Sequence, residues 1–188
     1  MKKIYDKMGD ILENKQLEMA FRKNIYYGVV FISLLGSLFH FLYDLSGKAI
    51  FVGLIAPVNE SVFEHLKLAF FPTLLWWALL YFPFYKKYGI ERERWLIAAV
   101  ASATISPLFI LCFYYTYTGA FGFQSPFLDV SSLLLGALLG QLVARKVYLR
   151  GKPKRIHFYL AVLAFIIMFA GFIVFTFHPP KLPLFQDN

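Results

Sequence analysis

The sequence predicts an all-α fold, a polytopic transmembrane bundle of five spanning helices with room for one re-entrant half-helix. Three observations predict it. The 188 residues are 59% hydrophobic and 20% aromatic, with mean hydropathy +0.60, more apolar side chain than a soluble core of this size can hide. Five runs approach the ~20 residues that cross a hydrocarbon core of ~30 Å. Charged residues fall almost wholly between those runs.

Residues 1–24 form a polar N-terminal tail. Within it Ile4, Met8, Ile11, Leu12 and Met19 recur at helical spacing among charges, as in a helix lying on the inner leaflet. Residues 25–188 then make one transmembrane domain. The first span, about 25–45, lacks a small-x-small cleavage pattern and reads as a retained helix rather than a secretory signal. Residues 48–59, KAIFVGLIAPVN, are too short to cross and suit a re-entrant or interfacial half-helix ended by Pro57. The remaining spans are about 61–85, 95–118, 126–144 and 157–178. In the fourth, Gly136 and Gly140 form a GxxxG pattern that favours close helix contact, within the chain or between copies of a homo-oligomer.

Sixteen of the 19 basic residues fall in the tail, in the loop after span two and in the loop after span four. The positive-inside rule makes that side cytoplasmic, with the N-terminus inside and the C-terminus outside. The net charge of +8 is then topological. Its partner is the anionic face of a lipid bilayer, and it calls for no nucleic acid. The single Cys112 permits neither an intrachain disulfide nor a cysteine-rich metal site.

The ionisable residues left over gather at the outer ends of the spans. His40 and Asp44 end span one, Glu60, Glu64, His65 and Lys67 open span two, Asp129 opens span four, and His178 closes span five. At ~1.5 Å per residue, His40 lies several ångströms below the outer interface. Such groups are costly in a membrane unless they face the bundle interior or water. A shared polar pocket open to the outside is therefore expected. Asp44, one turn after His40, could hold its second ring nitrogen. Wheel positions put Glu60, Glu64 and Lys67 on one stripe facing the pocket and turn His65 towards a neighbouring helix.

Structural duties compete for the same residues. Ser61-x-x-Glu64 matches a capping box, and Glu60 or Glu64 with Lys67 could be an internal ion pair. Ser125 and Pro126 could start span four with Asp129 in its first turn. Tyr114, Tyr115 and Tyr117 suit an aromatic belt.

Histidine with carboxylate is a ligand inventory for a divalent metal such as zinc, and His40, Glu64 and His65 are the expected ligands. His40, Glu60, Glu64 and His65 are equally the expected acid–base residues, with Asp44, Lys67 and Asp129 in support. A membrane-embedded, metal-dependent hydrolase leads the functional readings. A proton- or cation-coupled small-solute carrier, or an accessory subunit that docks a partner, are the alternatives.

APVNESVFEHLKLAFFP (56–72), FYYTYTG (113–119) and the tail FTFHPPKLPLFQD (175–187) together resemble an uncharacterised family of small bacterial integral membrane proteins with a P-V-N-E-S-x-[WF]-E-H-x-K segment. Phe63 stands where tryptophan is expected, and the resemblance implies a further segment beyond Asn188. It implies residence in a bacterial cytoplasmic membrane and no activity.

Overall fold

The computed structural model describes residues 2–187, of which residues 2–10 and 13 are described by backbone alone. It is all-α. In chain order the elements are α1 (Lys2–Leu45), α2 (Ile50–Gly53), α3 (Val62–His65), α4 (Lys67–Tyr88), α5 (Arg92–Phe121), α6 (Pro126–Arg150) and α7 (Arg155–Phe177), followed by a 3₁₀ turn at Pro183–Phe185. Five stretches are long and apolar enough to cross a membrane: Asn14–Leu45, Val62–Tyr88, Arg92–Phe121, Pro126–Arg150 and Arg155–Phe177. Each is longer at one or both ends than its apolar run, because charged residues continue the backbone hydrogen bonding into the interface.

The N-terminal tail is not a separate element. α1 runs unbroken from Lys2 to Leu45, and Phe21 and Ile25 are buried in the bundle. The side chains of Ile4 and Met8, expected on an amphipathic face, lie outside the described residues. Segment 48–59 contains only the single turn α2, with Ile50 and Phe51 exposed.

Helix ends follow from local chemistry. α4 stops at Gly89 and α5 at Gly122, both left-handed, with their N–H groups returned to Tyr85 and Thr118 carbonyls. Pro126 then restarts the chain at the first position of α6. Ser125 precedes it without a side-chain cap, contrary to expectation.

Small residues set how closely the helices approach. A Cβ at Gly140 would enter the van der Waals shell of Ser106 Oγ and lie 2.9 Å from the Ser102 carbonyl; one at Gly136 would lie 2.8 Å from the Ser106 carbonyl. The GxxxG face is thus buried against α5 of the same chain, the within-chain form of the close contact it suggested. On the other side of the bundle, Pro72 removes the N–H that would bond the Leu68 carbonyl. Gly36 of α1 lies against that freed oxygen, where a Cβ would come within 2.5 Å.

The end of the bundle that carries the basic loops is closed by rings. Phe21, Trp77, Phe84, Trp95 and Tyr148, from α1, α4, α5 and α6, form one buried cluster. Trp95 donates to the Trp77 carbonyl at 3.1 Å, and Arg145 pairs with Glu18 at 3.0 Å nearby. A second cluster, which includes Phe70, Ile110, Leu133 and Phe172, fills the middle of the bundle and brings in α7.

Replacing Gly140 by leucine should cost about 1–3 kcal/mol through overpacking. Denaturation of the purified protein in mixed micelles measures this, and Gly119→Leu, at a position with nothing within 4 Å, is the control expected to change little.

Candidate functional site

The entry to α3 decides which way each ionisable group points. Ser61 is extended (ψ 150°) and caps the helix, its Oγ accepting from Glu64 N at 3.3 Å. The reciprocal half of the capping box does not form. Ser61 N donates to Asn59 Oδ1 at 3.1 Å, and the Glu64 carboxylate turns inward.

Glu64 and Lys67 face a dry interior, 2% and 0% exposed. Glu64 Oε2 accepts from Lys67 Nζ at 2.7 Å and from Val58 N at 2.9 Å. Thr176 Oγ1 of α7 lies 2.8 Å from its Oε1 and 2.6 Å from the Phe172 carbonyl, and its single hydrogen is shared between them. Lys67 Nζ also donates to the carbonyls of Gly53 at 2.8 Å and Ala56 at 3.4 Å. All three ammonium hydrogens and both carboxylate oxygens are therefore matched. One ion pair ties α2, the 54–58 turn, α3, α4 and α7 together.

Glu60 and His65 point the other way, and this reverses the wheel assignment of Glu60 with Glu64. Helical angles do not extend to Glu60, because the helix starts only at Val62. The Glu60 carboxylate lies between two imidazoles, 3.9 Å from His40 Nε2 and 3.4 Å from His65 Nε2. The two rings are 5.2 Å apart. One donor atom from each of these three residues falls within 4.8 Å of the others. The ligand set that converges is thus His40, Glu60 and His65, with Glu64 committed elsewhere.

His65 Nδ1 is 2.9 Å from the Ser61 carbonyl. A carbonyl only accepts, so Nδ1 carries a proton. In the neutral ring Nε2 then presents its lone pair to the Glu60 carboxylate, an arrangement that needs a proton or a cation between them. A metal-ligating histidine is commonly oriented in this way.

The backbone beside Glu60 is held from the chain's far end. Glu60 N donates to Asp187 Oδ1 at 3.1 Å, and Ser61 and Asp187 form an isolated antiparallel bridge. Phe185 anchors this return segment on Phe63, with ring centroids 4.7 Å apart.

A cavity of about 510 Å³ opens beside the three residues, lined among others by His40, Glu60, His65, Tyr114, Gln124 and Asp129. Asp129 Oδ1 accepts from Tyr117 Oη at 2.7 Å, and that hydroxyl accepts from Ser125 N at 3.3 Å. Gln124 donates to Tyr114 Oη at 2.9 Å. His40, Glu60, His65 and Asp129 thus share one hollow at the end opposite the ring cluster.

Asp44 and His178 do not join it. The Asp44 side chain is exposed at the end of α1 and makes no bond to His40 among the described residues, because His40 turns its ring towards His65. His178 is exposed just past α7. Thr176, Gln124 and Asp187 are participants that spacing did not single out. Each meets its partner only through tertiary contact.

Lys67→Met should destabilise the fold by about 3–5 kcal/mol, because it strands a buried carboxylate, whereas Lys67→Met with Glu64→Leu should recover most of that loss. A double-mutant cycle on unfolding in micelles measures the coupling.

The chain has no match among curated proteins or among solved structures. Residues 13–188, nearly the whole length, match a family model described as a family of unknown function (DUF6512). The bundle, with its lock and its polar hollow, is therefore that of a protein that belongs to the DUF6512 family.

Proposed function

We propose that this is a multi-pass protein of the bacterial cytoplasmic membrane whose polar hollow opens on the extracytoplasmic side, binds a divalent metal such as zinc, and works as a membrane-embedded hydrolase. The observation that carries the reading is the Glu60 carboxylate set between two Nε2 atoms while His65 Nδ1 is committed to the Ser61 carbonyl. Two histidines and one glutamate are a frequent donor set of catalytic zinc sites, with a fourth position left for water. Bonds of ~2.0–2.1 Å place tetrahedral ligand atoms about 3.3 Å apart. The 3.9 Å and 3.4 Å separations are to different oxygens of Glu60, and one donor atom from each residue falls within 4.8 Å of the others, so the three side chains close inwards by rotation to take up an ion.

The chemistry such a site supports is addition of water to an electrophilic centre. A bound divalent ion lowers the pKa of its water and polarises the substrate oxygen. Asp129, on the same hollow, has an Oδ2 without a partner among the described residues, so it is the carboxylate left to take up the water's proton. Glu64 and Lys67 have no acid–base part in this reading. Their hydrogen bonds are satisfied in the interior, and their role is to hold α3 in place.

The one-sided design supports an enzyme over a carrier. Transport needs a path to both faces, and the basic half of the bundle is filled by the cluster around Phe21, Trp77 and Trp95. The placement of basic loops at that end supports a cytoplasmic assignment for it.

Purified wild-type protein should carry close to one zinc per chain by elemental analysis. His40→Ala, Glu60→Ala and His65→Ala should each weaken zinc binding by about 100-fold or more, and affinity should fall on acidification as the ligands take up protons. Wild-type protein that stays metal-free through zinc titration would end this reading. Orientation is tested separately in a Cys112→Ser background: Gln124→Cys should react with an impermeant maleimide in intact cells, and Lys152→Cys should not.

A further inference from the structure

The hollow is bounded by two kinds of residue, and their arrangement says from where it is reached. Its walls are buried, as at Leu68, Ile110 and Leu133. Its exposed rim takes in Glu60 and Gln124 at the outer end and, down one side, Ser37 and Phe41 of α1 with Pro126 and Val130 of α6. Phe41 is 60% and Val130 56% exposed, although both line the hollow. α1 and α6 pack together as far as Gly36 and Leu133, in contact there, and fork apart above that level. Phe41 lies four residues before the end of α1 and Val130 four after the start of α6. At ~1.5 Å per residue the opening therefore reaches about 6 Å below the helix ends, within the spanning segments. A mouth at that depth faces acyl chains.

We infer that the hollow admits its ligand sideways from the bilayer, through the α1/α6 fork, and that this ligand is an amphiphile with a neutral, carbonyl-bearing head such as a carboxylic ester. The inference rests on the metal-dependent reading for the fate of the head group. The head is assigned by charge. Glu60 and Asp129 both line the hollow, and among the described residues no lysine or arginine does. Lys67, the nearest basic residue in sequence, is spent on Glu64 and two carbonyls. One divalent ion would only balance those two carboxylates, so an anionic head such as a phosphate monoester finds no surplus positive charge. A neutral carbonyl oxygen can take the open metal position, and the Tyr114 hydroxyl, which lines the same hollow and accepts from Gln124, has its own hydrogen to donate. The space of about 510 Å³ falls in the ~300–1,000 Å³ range of small-molecule sites. It holds a head and the first part of a chain, whose remainder lies between Phe41 and Val130 out in the lipid.

The test uses 1-dodecanoylglycerol with a diazirine in its acyl chain, incorporated with the full-length protein in phosphatidylcholine nanodiscs. After irradiation, labelled peptides are mapped by mass spectrometry and zinc is measured in the same samples. Labelling should favour the peptides around Phe41 and Val130 over the lipid-facing Leu163–Ile167 stretch of α7 by about tenfold. Unlabelled 1-dodecanoylglycerol should abolish that excess, and neither water-soluble triacetin nor dodecyl phosphate should. Phe41→Trp with Val130→Trp, which fills the fork, should remove the excess with zinc retained, and Leu163→Trp should not. Labelling spread evenly over α1, α6 and α7 in zinc-loaded protein would overturn the lateral site and leave the metal reading intact. Displacement by triacetin would overturn entry from the membrane, and displacement by dodecyl phosphate would overturn the neutral head. Focused labelling of zinc-free protein would sink the metal reading while the lateral site stands.

Discussion

A buried ion pair with no exposed atom to spare governs this structure. Glu64 and Lys67 sit one helical turn apart where α3 becomes α4. In a membrane interior two such charges are tolerable only when every donor and acceptor is matched. Beyond each other, the ammonium takes two acceptors and the carboxylate two donors, drawn from α2, the 54–58 turn and α7. The polar requirement of two side chains thus fixes the path of a loop that lacks regular structure of its own. Once that loop is fixed, Glu60 can only lie at the outer lip of α3.

The site inherits its geometry from that constraint. His65 follows Glu64 directly, so it is rotated by about 100° on the helix and must leave the interior when Glu64 enters it. Its Nδ1 closes onto the Ser61 carbonyl one turn back, and Nε2 is aimed at α1. There His40 supplies the second ring, and the Asp187 bridge steadies the backbone of the residue between them. A packing decision and a chemical one are made by adjacent residues. Neither can be altered without moving the other.

Packing also explains why the hollow lies at one end. Small residues bring α5 and α6, and α1 and α4, close together at mid-depth, and bulky rings seal the basic end. On the outer side of Gly36 and Leu133, residues of both α1 and α6 line the hollow. The same contact surfaces that stabilise the bundle therefore set the floor of the cavity.

The sequence by itself determined the class of the molecule and the membership of its polar end. Hydropathy and charge placement dictate five long apolar helices, since a bilayer leaves the backbone no alternative. The cost of ionisable groups in lipid dictates that His40, Glu60, His65 and Asp129 be drawn to a common place. Which residues turn towards that place was decided only by tertiary structure. Helical-wheel angles fail across the start of α3, which Glu60 precedes; they gave Glu64 to the pocket, where the fold buries it on Lys67, and they turned His65 to a neighbouring helix, which the fold supplies as His40 of α1 beside the hollow. Asp44 lost its role because a ring rotates towards the stronger set of partners, on another helix. Gly136 and Gly140 announced a close contact but not its partner, since a small-residue face fits any helix of matching shape. Contacts across more than a hundred residues, such as Thr176 with Glu64 and Asp187 with Glu60, leave no periodic trace. They arise from distance in space, which spacing along one chain does not encode.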